Sequence, residues 1–405
     1  MQRTVAIVGT LDTKGTEYKF IRDRINNHGV NSIIIDVGTG GDPLLQPDIT
    51  TREVAEAAGV DFEELKRKAD RGYSVEVMGK GAAVILKRLQ QDGRIHGVIS
   101  IGGSGGTSIG TTAMKALPTG FPKMMVSTVA SGDTRQYVGV KDITMMNSVV
   151  DVAGLNIILK SILSNAAAAI AAMAKEEIVS GDSNKPIVAA TMFGVTTPCV
   201  SKACKILESA GYEVLVFHAT GTGGMAMEDL IAGGFIKGVL DITTTELADE
   251  LVGGLLTAGP KRLEAAGEKG IPQVVAPGAL DMVNFWAPET VPGRFKSRLF
   301  YQHNPQVTLM RTTKEENVEL GRIIAQKLNK AKGPTVFVWP RGGISLIDKE
   351  GQPFYDPEAD KALIDSIREN LEGKVKLVEM DLDINDGEFA AEAANQLLSC
   401  LGNKQ

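Results

Sequence analysis

The chain has 405 residues, 43% of them hydrophobic, with 43 Lys+Arg against 49 Asp+Glu and a formal charge of -6. That length suggests two or three domains, each with its own core. The charges are mixed, with no basic stripe, which argues against a nucleic-acid partner but leaves room for a small anion held by a local loop.

The N-terminus, MQRTVAIVGT, enters a strand directly and lacks the layout of a signal peptide. Residues 5–41 read as a β-α-β unit: an apolar run, a Gly/Thr-rich loop, an amphipathic helix, a glycine, and a second apolar run ending in GTGG. Tyr18, Ile21 and Ile25 share one helical face, and Gly29 sits where a C-cap is wanted. The loop Gly9–Thr16 opens this helix, whose free N–H groups and positive dipole end favour an anion. Lys14 adds a cation, Thr10 and Thr13 add hydroxyl donors, and Asp12 lies among them. Asp36 ends the second strand before Gly38-Thr39-Gly40-Gly41, where an acid binds a ribose hydroxyl in many nucleotide sites or simply caps a turn. The first loop has no GxGxxG, so a dinucleotide fingerprint is absent.

The next strand, VISI, runs into Gly102-Gly103-Ser104-Gly105-Gly106-Thr107-Ser108. Such glycines let backbone N–H groups approach a phosphate, and the helix from Thr107 points its N-terminus there. No lysine follows them, so this is not a Walker A loop. The strand before Ser127-Thr128 leads to Ser131-Gly132-Asp133-Thr134, which should line the same crevice, with Asp133 available to Mg²⁺ or a hydroxyl. Residues 143–180 are expected to form a long helix and then a linker. The apolar stretch Val149–Ala174 is interrupted by Asp151, Asn156 and Lys160, which fits a buried or interface helix rather than a membrane span. Ile143–Ala174 carries more apolar surface than one helix on a sheet buries, which points to a homodimer.

The pattern then restarts. Residues 187–224 repeat the order of 5–41 and again end in GTGG; 236–249 match 95–108, and 271–283 match 121–134. Buried, continuous strands alternating with helices mean parallel sheets covered on both faces. Cys199, Cys204 and Cys400 form no CxxC pair, the usage of a reduced, cytoplasmic chain without structural zinc. The second half loads its strand ends differently: His218 where the first has Asp36, Thr243-Thr244-Thr245-Glu246 where it has glycines, then Asp281, Asn284, Arg298, His303 and Arg341. Carboxylates near imidazoles suit proton transfer, so His303, His218, Asp281, Glu246 and Arg341 are the candidate catalytic set. Helices at 315–330, 357–371 and 386–400 and strands at 335–339 and 375–380 complete this half.

The segments VGTLDTKGTE, IGGSGGTS, STVASGDT, FHATGTGG, LDITTTELADELVGG, APGALDMVNFW, HNPQVTLMRTT and PRGGISLID together resemble a family. It comprises the bacterial and fungal relatives of the ATP-binding N-terminal region of the tomato tobamovirus-resistance protein, an inhibitor of viral RNA replication. The resemblance covers nearly the whole chain. It implies two Rossmann-like domains, ATP binding by the first, and a dimer. By motif match it points to Thr10, Asp12, Thr13 and Lys14, to Gly102–Thr107, and to Ser131, Gly132 and Asp133. It implies no settled reaction, and this chain lacks the plant protein's extra C-terminal region.

The sequence therefore predicts an α/β protein of two Rossmann-like parallel-sheet domains, 1–180 and 181–405, related by internal duplication, with a cleft between them. The expected function is nucleotide binding, ATP first, with Mg²⁺ and a second small polar or anionic ligand. Phosphoryl transfer or a ligase-like step is one outcome. The alternatives are a nucleotide-responsive binding protein without turnover and an isomerase or lyase of a sugar acid.

Overall fold

The computed structural model describes residues 2–176 and 185–402. They fall in two compact units that divide at Ser180/Gly181.

The first unit alternates strand and helix. Its elements are β1 (Thr4–Gly9), α1 (Leu11–Asn27), β2 (Asn31–Asp36), α2 (Thr51–Ala57), α3 (Phe62–Lys68), α4 (Arg71–Gln91), β3 (Gly97–Gly102), α5 (Ser104–Lys115), β4 (Lys123–Ser127), α6 (Arg135–Val138), β5 (Thr144–Asn147) and α7 (Ile157–Lys175). The sheet order is β2-β1-β3-β4-β5, all parallel. Strand alternation builds one core on each face. Val5 and Ile7 of β1 pack with α1 and α7, while Ala6 and Val8 pack with α4 and α5. Strand order reverses between β1 and β3, the place where ligands bind in such sheets.

The expectation of a long helix and then a linker over 143–180 is corrected at its start. Thr144–Asn147 form β5, pairing in parallel with Met124–Ser127 along the otherwise open edge of β4. The helix starts only at Ile157, capped by the Asn156 side chain; residues 177–180 of that expectation lie outside the described residues. By length and composition α7 could cross a membrane. Here Leu159, Leu163, Ala167, Ile170 and Ala174 form a stripe buried in the core.

The second unit comprises β6 (Ile187–Met192), α8 (Thr197–Ser209), β7 (Glu213–His218), α9 (Thr222–Ala232), β8 (Gly238–Thr243), α10 (Glu246–Val252), α11 (Ala265–Lys269), β9 (Gln273–Gly278), β10 (Met282–Phe285), β11 (Phe300–Asn304), β12 (Val307–Arg311), α12 (Lys314–Leu328), β13 (Thr335–Pro340), α13 (Pro357–Asn370), β14 (Lys376–Met380) and α14 (Gly387–Gly402). Its parallel sheet, β7-β6-β8-β9-β13-β14, has the order of the first with one strand more. Details repeat as well: Val37 N donates to Gly9 O at 2.9 Å, and Ala219 N to Met192 O at 2.8 Å. An antiparallel sheet, β10-β12-β11, is inserted between β9 and α12. The sequence pattern did not announce it, because three short strands gave no β-α alternation.

Candidate anion-binding site

The carboxyl ends of β1 and β3 face a pocket of about 520 Å³. Thr10, Asp12, Thr13 and Lys14 line it from the first loop, and Gly103, Ser104, Gly105 and Gly106 from the third. Sequence reasoning had named both loops; the fold brings them together because β1 and β3 are neighbours. Asp151, Arg71, Ser74 and Val75 also line it and were not foreseen. Arg71 opens α4 after its N-cap Asp70, and neither belongs to a strand-end motif that a sequence scan would flag.

The four glycines of the third loop divide by role. A Cβ at Gly102 would lie 3.1 Å from Gly106 Cα, and one at Gly106 would lie 3.3 Å from Ile101 O. These two let α5 turn tightly out of β3. At Gly103 nothing is nearer than Thr128 Oγ1 at 3.7 Å, and at Gly105 nothing is nearer than the Arg71 guanidinium at 3.8 Å. The missing side chains at 103 and 105 leave space in the pocket rather than relieving a clash. Gly103 is the N-cap of α5 and no side chain caps that helix; Thr10, the N-cap of α1, likewise makes no capping bond. The first turn of α5 thus presents uncapped N–H groups at the strand junction, whereas at the start of α1 Leu11 N donates to Asp36 Oδ1 and Thr13 N to Thr10 O. Lys14 Nζ donates to Val152 O.

Other expected ligand residues have internal partners. Asp36 is 1% exposed and accepts from Leu11 N at 3.1 Å, Gly38 N at 2.9 Å and Thr51 Oγ1 at 3.2 Å. It caps the loop, and burial raises its carboxyl above the usual range. Gly38 is spent on that cap, and Gly40 N donates to Asp12 Oδ2 at 2.7 Å, which leaves Asp12 Oδ1 buried without a partner. Thr107 is buried, its hydroxyl bonded to Gly103 O at 2.8 Å and Ser127 Oγ at 2.6 Å. Ser131, Gly132 and Asp133 are exposed and do not line the pocket. Asp133 is held by Arg135 through a 2.6 Å ion pair, and its carboxyl is lowered to about 2.

The second unit does not assemble the expected catalytic set. Glu246 is fully buried, accepts from Gly221 N at 2.7 Å and Gly224 N at 3.0 Å, and pairs with Arg262 Nε at 2.6 Å. Arg262 also holds Asp241, at 2.5 and 2.7 Å. Burial raises the Glu246 carboxyl and the arginine charge opposes it. Asp281 is fully buried too, accepting from Ser345 Oγ at 2.8 Å with its Oδ1 unpartnered. Burial and the charge of Asp348 push its carboxyl up to about 7. His218 is exposed at the end of β7, edge-on to Phe193 at 5.5 Å. His303 is exposed on β11 of the antiparallel sheet, not in a strand-end loop of the parallel one. Neither imidazole meets the two buried carboxylates by any hydrogen bond or ion pair among the described residues, so no acid-base pair forms. Arg298 is bound to Glu316 at 2.6 Å. Arg341 is paired with Glu379 at 3.1 Å and Asp381 at 2.8 Å, and it lines a cavity of about 390 Å³ that also borders Trp339, Asp360 and Arg368. Among the described residues no group of three or more His, Cys, Asp or Glu side chains could hold a metal. All three cysteines are free.

The fold and pocket define a two-unit α/β protein with a pocket at the strand switch point of its first sheet. The chain belongs to the uncharacterised protein family UPF0261: residues 3–178 match its N-terminal domain and 185–401 its C-terminal domain. A UPF0261 protein of Clostridium tetani is 57% identical over 99% of this chain and 100% of its own length. The tomato ToMV resistance protein Tm-1 is 41% identical over 97% of this chain, which spans 55% of the plant protein. Among solved structures, a UDP-N-acetylglucosamine 2-epimerase from Rickettsia bellii aligns over 68% of this chain and 78% of its own, at 9% identity and a TM-score of 0.23.

Proposed function

We propose that the first unit binds ATP, with its phosphates over Gly103–Gly106 and its charge met by Lys14 and Arg71. The observation that carries this reading is the room left at Gly103 and Gly105, at the uncapped start of α5. The family resemblance supplies the choice of ATP. Mg²⁺ accompanying the phosphates falls to Asp12 and Asp151 on the pocket wall rather than to Asp133. The test is calorimetry with ATP and Mg²⁺ on the wild type and on Gly103→Val with Gly105→Val. The double variant should fold, since neither Cβ meets a close neighbour, and should lose binding. Unchanged ATP affinity in that variant would displace the site.

The second-unit carboxylates are bonded internally and the imidazoles stand apart, which supports a nucleotide-responsive binding role over catalysis by His303, His218, Asp281 or Glu246. An enzymatic reading keeps one support, the Arg341 cavity, as a place for a second small ligand. We take the protein to act as a cytoplasmic homodimer: Val149, Ile157 and Ile158 expose 69%, 83% and 48% of their surface within one segment. A monomer by light scattering at micromolar concentration would overturn the dimer.

A further inference from the structure

We infer that Arg71 and the first turn of α5 form an oxyanion subsite, and that a ligand phosphate sits there as the Glu246 carboxylate sits in the second unit. This rests on the nucleotide reading and names the atoms that would take the phosphate.

The two positions are equivalent by sheet register. Val5 of β1 pairs with Gly97 of β3, and Val188 of β6 pairs with Gly238 of β8. Counting on from those glycines, Ser100 matches Asp241 and Gly105 matches Glu246. In the second unit that position carries a carboxylate at the start of α10, neutralised by Arg262, with both side chains fully buried. The unit supplies its own oxyanion together with the arginine that pairs with it.

In the first unit no carboxylate stands at this position, and an exposed arginine from another element, Arg71 at the start of α4, lies beside it. The Arg71 guanidinium stands 3.8 Å from where a Gly105 Cβ would be, and Val75 stands at 3.9 Å. Arg71 makes no hydrogen bond or ion pair among the described residues, whereas the other pocket cation, Lys14, donates to Val152 O. In the GTGG turn, Gly38 N, the counterpart of the donor Gly221 N, is already given to Asp36, and Gly40 N to Asp12. The remaining donors are the first-turn N–H groups of α5, which have no intrahelical acceptor, and the guanidinium fork. That donor set fits a tetrahedral, multiply charged oxyanion, a phosphate of a polyphosphate chain, and the fork can hold two of its oxygens at once.

The experiment follows the melting temperature with pyrophosphate and with ATP, on the wild type, Arg71→Ala and Gly105→Glu. Binding raises the melting temperature by linkage. Both probes should stabilise the wild type. Arg71→Ala should lose the pyrophosphate shift and bind ATP at least tenfold more weakly. Gly105→Glu has room for its side chain and brings its own carboxylate to Arg71; it should stay folded by circular dichroism and lose both shifts. ATP binding of wild-type strength in both variants would overturn the subsite and leave the nucleotide reading standing. A pyrophosphate shift that depends on Arg71, without any ATP shift, would keep the subsite and overturn ATP as ligand. No shift with either probe on the wild type overturns both.

Discussion

Arg262 Nε donates to Glu246 Oε2 across 2.6 Å, and neither side chain is exposed to solvent. The same guanidinium holds Asp241 and reaches Glu228 at 3.4 Å, so one cation balances three carboxylates inside the second unit. Burying these charges is tolerable only while they remain paired. Arg262→Met should therefore lower the unfolding free energy by about 3–5 kcal/mol, since it strands the acids rather than removing the cluster. Urea titration measures this, and a loss under about 1 kcal/mol would mean that the carboxylates find protons or water instead.

A second cluster makes stability depend on pH. Arg311 reaches Asp360 at 2.7 Å and Asp348 at 3.3 Å, with Asp281 alongside. Burial pushes Asp360 up to about 8 and Asp281 up to about 7, each raised further by the charge of Asp348, which is itself raised by burial. Unfolded aspartates titrate near pH 4. The folded state thus holds extra protons between those values. The stability they contribute is complete below about pH 4 and is lost as pH rises through 7 to 8. Asp360→Asn should flatten the fall in melting temperature between pH 6 and 8.5, bounds set to bracket the two raised aspartates. Melting curves that run parallel for variant and wild type would remove Asp360 as a cause.

The sequence made the pocket legible and the second-unit site misleading, for one physical reason. Glycine-rich loops at strand ends advertise space, and at Gly103 and Gly105 the space is real. Charged residues at strand ends advertise chemistry only if they face outward. Glu246 and Asp281 look the same in sequence whether they meet a substrate or an internal partner, and their partners Arg262 and Ser345 lie on later segments that no local pattern links to them. Arg71 escaped for the converse reason: its helix α4 carries no motif, and only the packing of α4 beside α5 brings it to Gly105. β5 was hidden because Met145 and Met146 suit helix and strand equally and only the free edge of β4 decides between them.

Tyr18 ties the two strands that flank the pocket. Its hydroxyl donates to Ile101 O at 2.5 Å and accepts from Ile101 N at 3.2 Å, and its ring fills the space over Gly9. Tyr18→Phe keeps the ring and strands two buried backbone groups, so it should cost about 1–3 kcal/mol of stability. ATP affinity should change at most a few-fold, since the hydroxyl faces backbone and not the pocket. A large loss of affinity at unchanged stability would place the hydroxyl at the ligand.

Two similar units would be expected to bind two ligands, but under the proposed nucleotide reading their difference at one position predicts one nucleotide per chain. The first unit leaves Gly105 bare beside an unpaired arginine; the second has a carboxylate at the matching position, bonded to two backbone N–H groups and an arginine. A ligand phosphate entering the second unit would have to expel Glu246 from a site without solvent and leave it charged. Calorimetry with ATP should therefore give a stoichiometry of one per chain. The same reasoning predicts that Glu246→Ala, which empties that place and frees Gly221 N, Gly224 N and Arg262, is destabilised and regains part of its melting temperature in formate but not in chloride of equal ionic strength. Formate replaces the lost carboxylate on the same donors, whereas chloride only screens. Two nucleotides per wild-type chain, or equal rescue by both salts, would show that the second crevice is not closed by its own carboxylate.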